Sequence, residues 1–275
     1  MPSHSCGECG VTGTLADIAQ NSVFERVARA GYVVSGLLHI VIGYLAIQIA
    51  LGTGGTADQS GALSALAVKP GGIVALWVAV VALGIMAMWR IAETLLGRST
   101  DPKRQSAMLE SVDRAKAFAL AVVYFGFAYS TLGFARGAGK STGDQNVGLS
   151  ARLMQSGGGT ALLVVAGIVI AAVGGYHVYK GAGRKFLDDL NGNASDLVRR
   201  LGVIGYVAKG LVIAGAGLLV IIAACFSEPS KATGLDGALK ALGAQPFGAI
   251  LLILAGLGII TYGLYSFAMA RYTKM

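Results

Sequence analysis

Runs of about 20 mostly apolar residues, the length that crosses a bilayer core as a helix, recur six times along the chain. They lie at 31–51, 72–92, 117–136, 160–179, 203–225 and 247–268. Short charged stretches and three longer loops, 52–71, 137–159 and 226–246, separate them. Each run predicts a transmembrane helix. No intervening stretch is long enough for a separate soluble domain, so the membrane bundle is predicted to be the body of the protein. The first run follows Arg26 and Arg29 in the manner of a signal peptide. It is too long for a cleavable apolar core and has equivalents later in the chain, so it predicts a retained helix.

The third long loop departs from the pattern of apolar run and polar turn. Its "GLDGALKALGAQPFG" (234–248) sets Leu235, Leu239 and Leu242 on one stripe and ends on a Pro and an aromatic. This predicts two turns of amphipathic helix lying on the membrane interface. The pattern occurs three times: "GALSALAVKPGG" (61–72), "GLSARLMQSGGG" (148–159) and "GALKALGAQPFG" (237–248) align without a gap. Leu66, Leu153 and Leu242 coincide, as do Pro70, Gly157 and Pro246, and then Gly72, Gly159 and Gly248.

The preceding spans match as well. "GYVVSGLLHIVIG" (31–43) overlies "GYVAKGLVIAGAG" (205–217), and "DRAKAFALAVVYFGFAY" (113–129) is the degenerate middle copy. Trp89, Tyr176 and Tyr265 fall at one equivalent position near the ends of the second spans, suited to an interfacial aromatic. Each unit holds two spans, so every unit enters and leaves on one side and the repeats are parallel, related by an axis along the membrane normal. The predicted fold is an all-α integral membrane protein. It has six transmembrane helices as three parallel two-helix repeats around a pseudo-threefold axis, with short amphipathic helices in the outer loops. The predicted divisions are an N-terminal tail 1–22 and repeats 23–98, 99–185 and 186–275. Pro70 and Pro246 are expected to open the return spans, where a missing N–H costs least.

Composition agrees with a membrane chain. Charged residues make up 13% and hydrophobic ones 55%, with mean hydropathy +0.67, where soluble domains carry about 25% charged residues. The 41 glycines fit a bundle that must associate in lipid through close backbone approach. Gly167, Ala171 and Gly175 form a small-residue series on the fourth span, and Gly36/Gly43 are echoed by Gly210/Gly217.

The net charge of +8 changes the picture only through its distribution. Arg26, Arg29, Arg90, Arg98, Lys103, Arg104, Arg114, Lys116, Lys180, Arg184, Lys185, Arg199, Arg200, Arg271 and Lys274 fall on one side of the predicted topology. Lys69, Arg136, Lys140, Arg152, Lys231 and Lys240 fall on the other, with Lys209 inside a span. The positive-inside rule then places both termini in the cytoplasm. Basicity reports topology and a secondary attraction to anionic lipid, and nucleic acid is not an expected partner. Helix starts are also expected on the cytoplasmic side, at Thr14 with Asp17, at Asp101-Pro102, and at Asn193 with Asp196.

The repeated hairpin, the "GYV…G" opening of the odd spans and the "GLDGALKALGAQPFG" loop resemble a bacterial membrane family named only as domain of unknown function 1206. The resemblance covers about residues 23–272 and is most specific in the third unit. It implies a unit repeated three times to give six spans, and a multi-pass protein of the bacterial plasma membrane. It implies no activity, cofactor or catalytic residue. The middle copy departs from the pattern by lacking the Pro and the glycine that opens the odd spans.

Candidate chemistry is sparse. "HSCGECG" (4–10) holds His4, Cys6 and Cys9. These could bind zinc or cycle as a dithiol, but three ligands fall short of a closed structural site, and an incidental tail is the simpler reading. Zinc is therefore a candidate cofactor at this pair and no other is implied. His39 and Lys209 are ionisable groups at membrane depth, which are costly and face a cavity or a partner. Lys209 could instead snorkel to the interface, and His39 could simply bond a backbone carbonyl. Tyr124 is the counterpart of His39 in the middle unit, and His39, Tyr124 and Lys209 form the candidate ligand pocket, all expected to point into the bundle. Arg90, Glu93 and His177 at span ends read as interfacial ion pairing. Asp58, Asp144 and Asp236, just ahead of the outer-loop helices, read as N-caps.

No nucleophile elbow, phosphate loop or intramembrane carboxylate pair is present, and "GTGGT" (52–56) lacks the context of a phosphate loop. The expected function is non-enzymatic: an accessory or scaffold subunit of a cell-envelope complex, with membrane lipids and a membrane protein as partners. The alternative is a small channel or transporter for an amphiphile or ion along the pseudo-threefold axis.

Overall fold

A computed structural model describes residues 9–96, 107–190 and 195–273. They are helical with no strand, and a single isolated bridge pairs Leu190 with Thr273. The six apolar runs form α1 (Cys9–Ala50), α3 (Gly72–Leu96), α4 (Ala107–Ala135), α6 (Gly157–Ala182), α7 (Asp196–Phe226) and α9 (Gly248–Tyr272). Each contains a stretch long and apolar enough to cross a membrane. The chain is a multi-pass membrane protein.

Three short helices occupy the long loops: α2 (Gln59–Ala67), α5 (Thr142–Leu153) and α8 (Leu235–Gly243). The amphipathic stripe of α8 behaves as its sequence predicts, because Leu239 is fully buried and Leu235 packs against the same apolar cluster. On the opposite side, separate helix starts are not observed in α1, which runs unbroken through Thr14 for 42 residues. Asp196 opens α7 directly, capped by Ser195, whose hydroxyl accepts from the Val198 amide at 3.4 Å.

The turns that return the chain differ from the expectation that Pro opens the helix. Pro70 and Pro246 each sit two residues before the helix, in a tight turn. Lys69 O accepts from Gly72 N at 2.9 Å, and Gln245 O accepts from Gly248 N at 2.7 Å. The third turn residue needs positive φ, supplied by Gly71 (φ 76°) and, against its preference, by Phe247 (φ 61°). The middle unit lacks Pro and uses a cap instead, with Ser156 Oγ accepting from Gly159 N at 3.1 Å. The aligned Gly72, Gly159 and Gly248 have one shared reason. A Cβ at each would strike a backbone carbonyl at the end of the preceding short helix, of Leu66, Leu153 and Gly243 respectively.

The most extensively packed helix pairs are α6 with α7, α1 with α9 and α3 with α4, followed by α7 with α9. Each of the first three joins the second span of one unit to the first span of another. Two use the same device. On α1 and α9, Gly36 faces Gly263 and Gly43 lies against Gly256. A Cβ on Gly36 would fall 2.8 Å from Gly263 O, and one on Gly256 would fall 2.7 Å from Gly43 O. On α6 and α7, Gly167 faces Gly217 and Gly174 faces Gly210, with hypothetical Cβ-to-carbonyl distances of 2.7–2.9 Å. The seven-residue spacing returns each glycine to the same helix face after two turns. The α3–α4 pair carries larger residues where the others carry glycine, among them the buried Ala87 and Ala121. The α6 stripe is Gly167, Ala171 and Gly174, whereas Gly175, expected from the sequence to belong to it, has open space beside it.

The short helices lock to one another across units. Asp236 Oδ1 accepts from the buried Ala57 amide at 2.8 Å, joining the third unit to the first. Ser60 Oγ accepts from Thr142 N at 3.0 Å and donates to Asp58 Oδ1, joining the first to the second. Of the three aspartates read as N-caps, only Asp58 is one, accepting from Gly61 N at 3.1 Å. Ser141 caps α5 and the backbone of Gly234 starts α8.

Gly217→Val should lower stability by about 1–3 kcal/mol, because its branches enter the backbone of α6. Gly175→Val, on the open face of α6, should stay within about 0.5 kcal/mol of the parent. Unfolding midpoints in mild detergent compare the two, and equal losses would contradict the assigned crossing.

Candidate functional site

Close helix contacts of α9 with α1 and with α7 bring two candidate residues, His39 and Lys209, to one ring. Gly36 and Gly263 let the helices approach so closely that His39, one turn on from Gly36, meets Tyr262, with ring centroids 4.8 Å apart. From the other side, α7 packs on α9 through Gly205, whose missing Cβ would meet Tyr262 Cα at 2.5 Å. That approach carries Lys209 to the same ring, its Nζ 4.0 Å from the Tyr262 centroid. Tyr262 is thus held between an imidazole and an ammonium contributed by two different helices.

Each polar group has an internal partner. The Nδ1–H of His39 donates to the Ser35 carbonyl at 2.7 Å, the preceding-turn carbonyl of its own helix. Lys209 faces the negative π-surface of Tyr262, a contact that strengthens away from water. Both side chains are half-buried within the protein. Tyr124, on α4, is also half-buried, but among the described residues it makes no ring contact or hydrogen bond with His39 or Lys209. Two of the three predicted pocket residues therefore meet, and the third stands apart on another helix pair.

Around Tyr262 the structure builds an aromatic cluster. Tyr206 meets Tyr262 edge-on at 5.2 Å, Tyr265 lies 5.6 Å from Tyr206, and Phe186 stacks on Tyr206 at 5.5 Å. Phe186 comes from a short 3-10 segment, Lys185–Asp189, that turns back under the bundle. The segment is tethered by Lys180, which bonds Asp189 at 2.6 Å and lies over the Tyr206 ring. Tyr265 is fully buried, unlike Trp89 and Tyr176 at the equivalent positions, which are exposed. The interfacial role expected for Tyr265 is thus replaced by a core role. Its hydroxyl is buried without a hydrogen-bond partner among the described residues. His177 bonds the Val173 carbonyl at 2.8 Å and packs against Tyr206 at 5.8 Å.

Sequence reasoning found His39 and Lys209 because an ionisable group in an apolar run stands out. It overlooked Tyr262, the residue that joins them. The available signal was its placement beside Gly263, on the helix whose glycines mirror those of α6. His4 and Cys6 lie outside the described residues, and of Cys9 only the backbone, as the first residue of α1, is described. Among the described residues no group of three metal-binding side chains occurs.

Comparison with known proteins returns the repeat. The profile of the family described as Domain of Unknown Function (DUF1206) matches three times, at residues 30–97, 115–184 and 204–273. An uncharacterized protein of Bacillus subtilis (strain 168), YxxB, is 26% identical over 257 residues, covering 91% of this chain and 92% of its own length. No solved structure matches the chain.

Replacing the ring of Tyr262 should collapse this cluster. Tyr262→Ala is expected to cost about 3–5 kcal/mol, while Tyr262→Phe, which keeps the surface facing His39 and Lys209, should cost about 1 kcal/mol. Unfolding of the purified protein in detergent separates them. Equal losses would assign the cluster to the hydroxyl instead of the ring.

Proposed function

The chain belongs to the Domain of Unknown Function (DUF1206) family, and from that starting point we propose a non-enzymatic accessory or scaffold protein of a cell-envelope complex. The observation that carries this reading is the use of the polar groups at mid-depth. His39 bonds its own helix and Lys209 covers Tyr262, so both contribute to packing between α1, α7 and α9. A translocation path needs such groups turned toward a passing ligand, and here they are directed at neighbouring helices.

The proposed architecture is three parallel units around an axis along the membrane normal, with the divisions expected from the sequence. Its support is the order of packed pairs: second span to first span, from unit one to two, two to three and three back to one. The seams between these pairs are unequal. α7 and α9 pack extensively, whereas α1 with α3 and α4 with α6 are not among the main contacts. Those looser seams favour the second reading, a small channel or transporter for an amphiphile or ion. The membrane is proposed to be the bacterial plasma membrane, with α2, α5 and α8 outside and both termini in the cytoplasm. The asymmetry of Lys and Arg supports that orientation.

Cross-linking in native membranes followed by gentle solubilisation should yield a stoichiometric complex with another membrane protein. Recovery of the chain alone, together with ligand flux in proteoliposomes that Lys209→Met abolishes, would replace this reading with transport. Orientation has its own check. In a background without cysteine, Thr53→Cys and Lys185→Cys, both exposed positions, should react with an impermeant reagent from opposite sides of the membrane. Reaction from one side would overturn the parallel-unit topology.

A further inference from the structure

We propose that the cleft between the end of α4 and the short helix α5 binds the phosphate group of an anionic amphiphile. The cleft is open on one side and has a volume of about 770 Å³, within the range of small-ligand sites (about 300–1,000 Å³). Its walls change character along the membrane normal. Tyr129 and Leu132 belong to the apolar span of α4, which ends at Ala135. Arg136, Lys140 and Arg152 line the part beyond that end, opposed by the single carboxylate of Asp144.

Arg136, Lys140 and Arg152 are exposed, and none has an ion-pair partner among the described residues. Elsewhere at this end Lys231 pairs with Glu228 and Lys240 with Asp236, each at 2.7 Å, whereas the cleft sets three cations against one carboxylate. The three cations of the cleft are therefore a local excess of positive charge. Arg136 directly follows the span that ends at Ala135, and Lys140 and Arg152 line the same cleft beside it. Two are arginines, whose planar guanidinium groups match phosphate oxygens in pairs. The apolar floor gives the first segment of an acyl chain a path down α4, where Tyr129 is 74% exposed. A free phosphate would use the cations and leave that floor unfilled, so the combination favours a lipid-borne phosphate. The site does not depend on the scaffold reading, because it lies on the second unit, away from the His39–Tyr262–Lys209 cluster.

The test uses the full-length protein in nanodiscs of phosphatidylcholine with or without phosphatidylglycerol, and native mass spectrometry counts retained lipid. The parent should retain phosphatidylglycerol in preference to phosphatidylcholine. The triple variant Arg136→Gln, Lys140→Gln, Arg152→Gln should lose that retention by about tenfold or more. The pair Arg184→Gln, Lys185→Gln, at the other end of the bundle, should leave it unchanged, and an unaltered elution profile confirms that each variant is folded. Equal retention by the parent and the triple variant would overturn the site. Displacement of the lipid by millimolar inorganic phosphate would overturn its assignment to an amphiphile.

Discussion

Everything in this fold depends on how closely two helix backbones approach in a solvent that gives them no reason to associate. Lipid tails solvate leucine as well as another helix does, so attraction must come from dense van der Waals contact. The crossings of Gly36 with Gly263 and Gly174 with Gly210 meet that requirement by removing the side chain from the point of closest contact. Larger residues flanking these points, such as Ile40, Ile260 and Ile221, then close over the opposite backbone. The seven-residue spacing repeats the contact two turns away, so each pair is held along its length.

The mid-depth cluster follows from the same constraint. Tyr262 is one residue from Gly263, and a ring placed there beside a less intimate crossing would face lipid. Because α1 and α7 both come so near α9, the ring is covered from two sides, and His39 and Lys209 fall on it. The polar groups are tolerated at this depth because the close packing supplies their partners. The extramembrane end is governed differently, by buried hydrogen bonds that cross between units, of which Asp236 with Ala57 is the least exposed.

Much of this was legible in the chain. Six apolar runs and the thrice-repeated loop gave the spans and the short helices, because each is a local property of sequence. The glycine pairs were visible as spacing, but not their partners, since which helix faces which is settled by the whole bundle. Hence Gly175 was grouped with Gly167 when Gly174 is the one in contact. His39 and Lys209 were found as polar outliers, whereas Tyr262 resembles any other aromatic in a span. Tyr265 misled by analogy: its equivalents Trp89 and Tyr176 are exposed, whereas Phe186 from the 3-10 segment, with Tyr206 and Tyr262, turns this position into a core.

The pairing of α1 with α9 has a consequence for biogenesis. The first helix finds its glycine-matched partner in the last, so it must wait in the bilayer until nearly the whole chain has left the ribosome. At synthesis rates of about 5–20 residues per second, that interval is on the order of tens of seconds. Throughout it, Gly36 and Gly43 present a bare backbone stripe that no later helix but α9 covers. A truncated product ending after α7 would keep that stripe open permanently, giving membrane quality control a direct mark of an unfinished molecule.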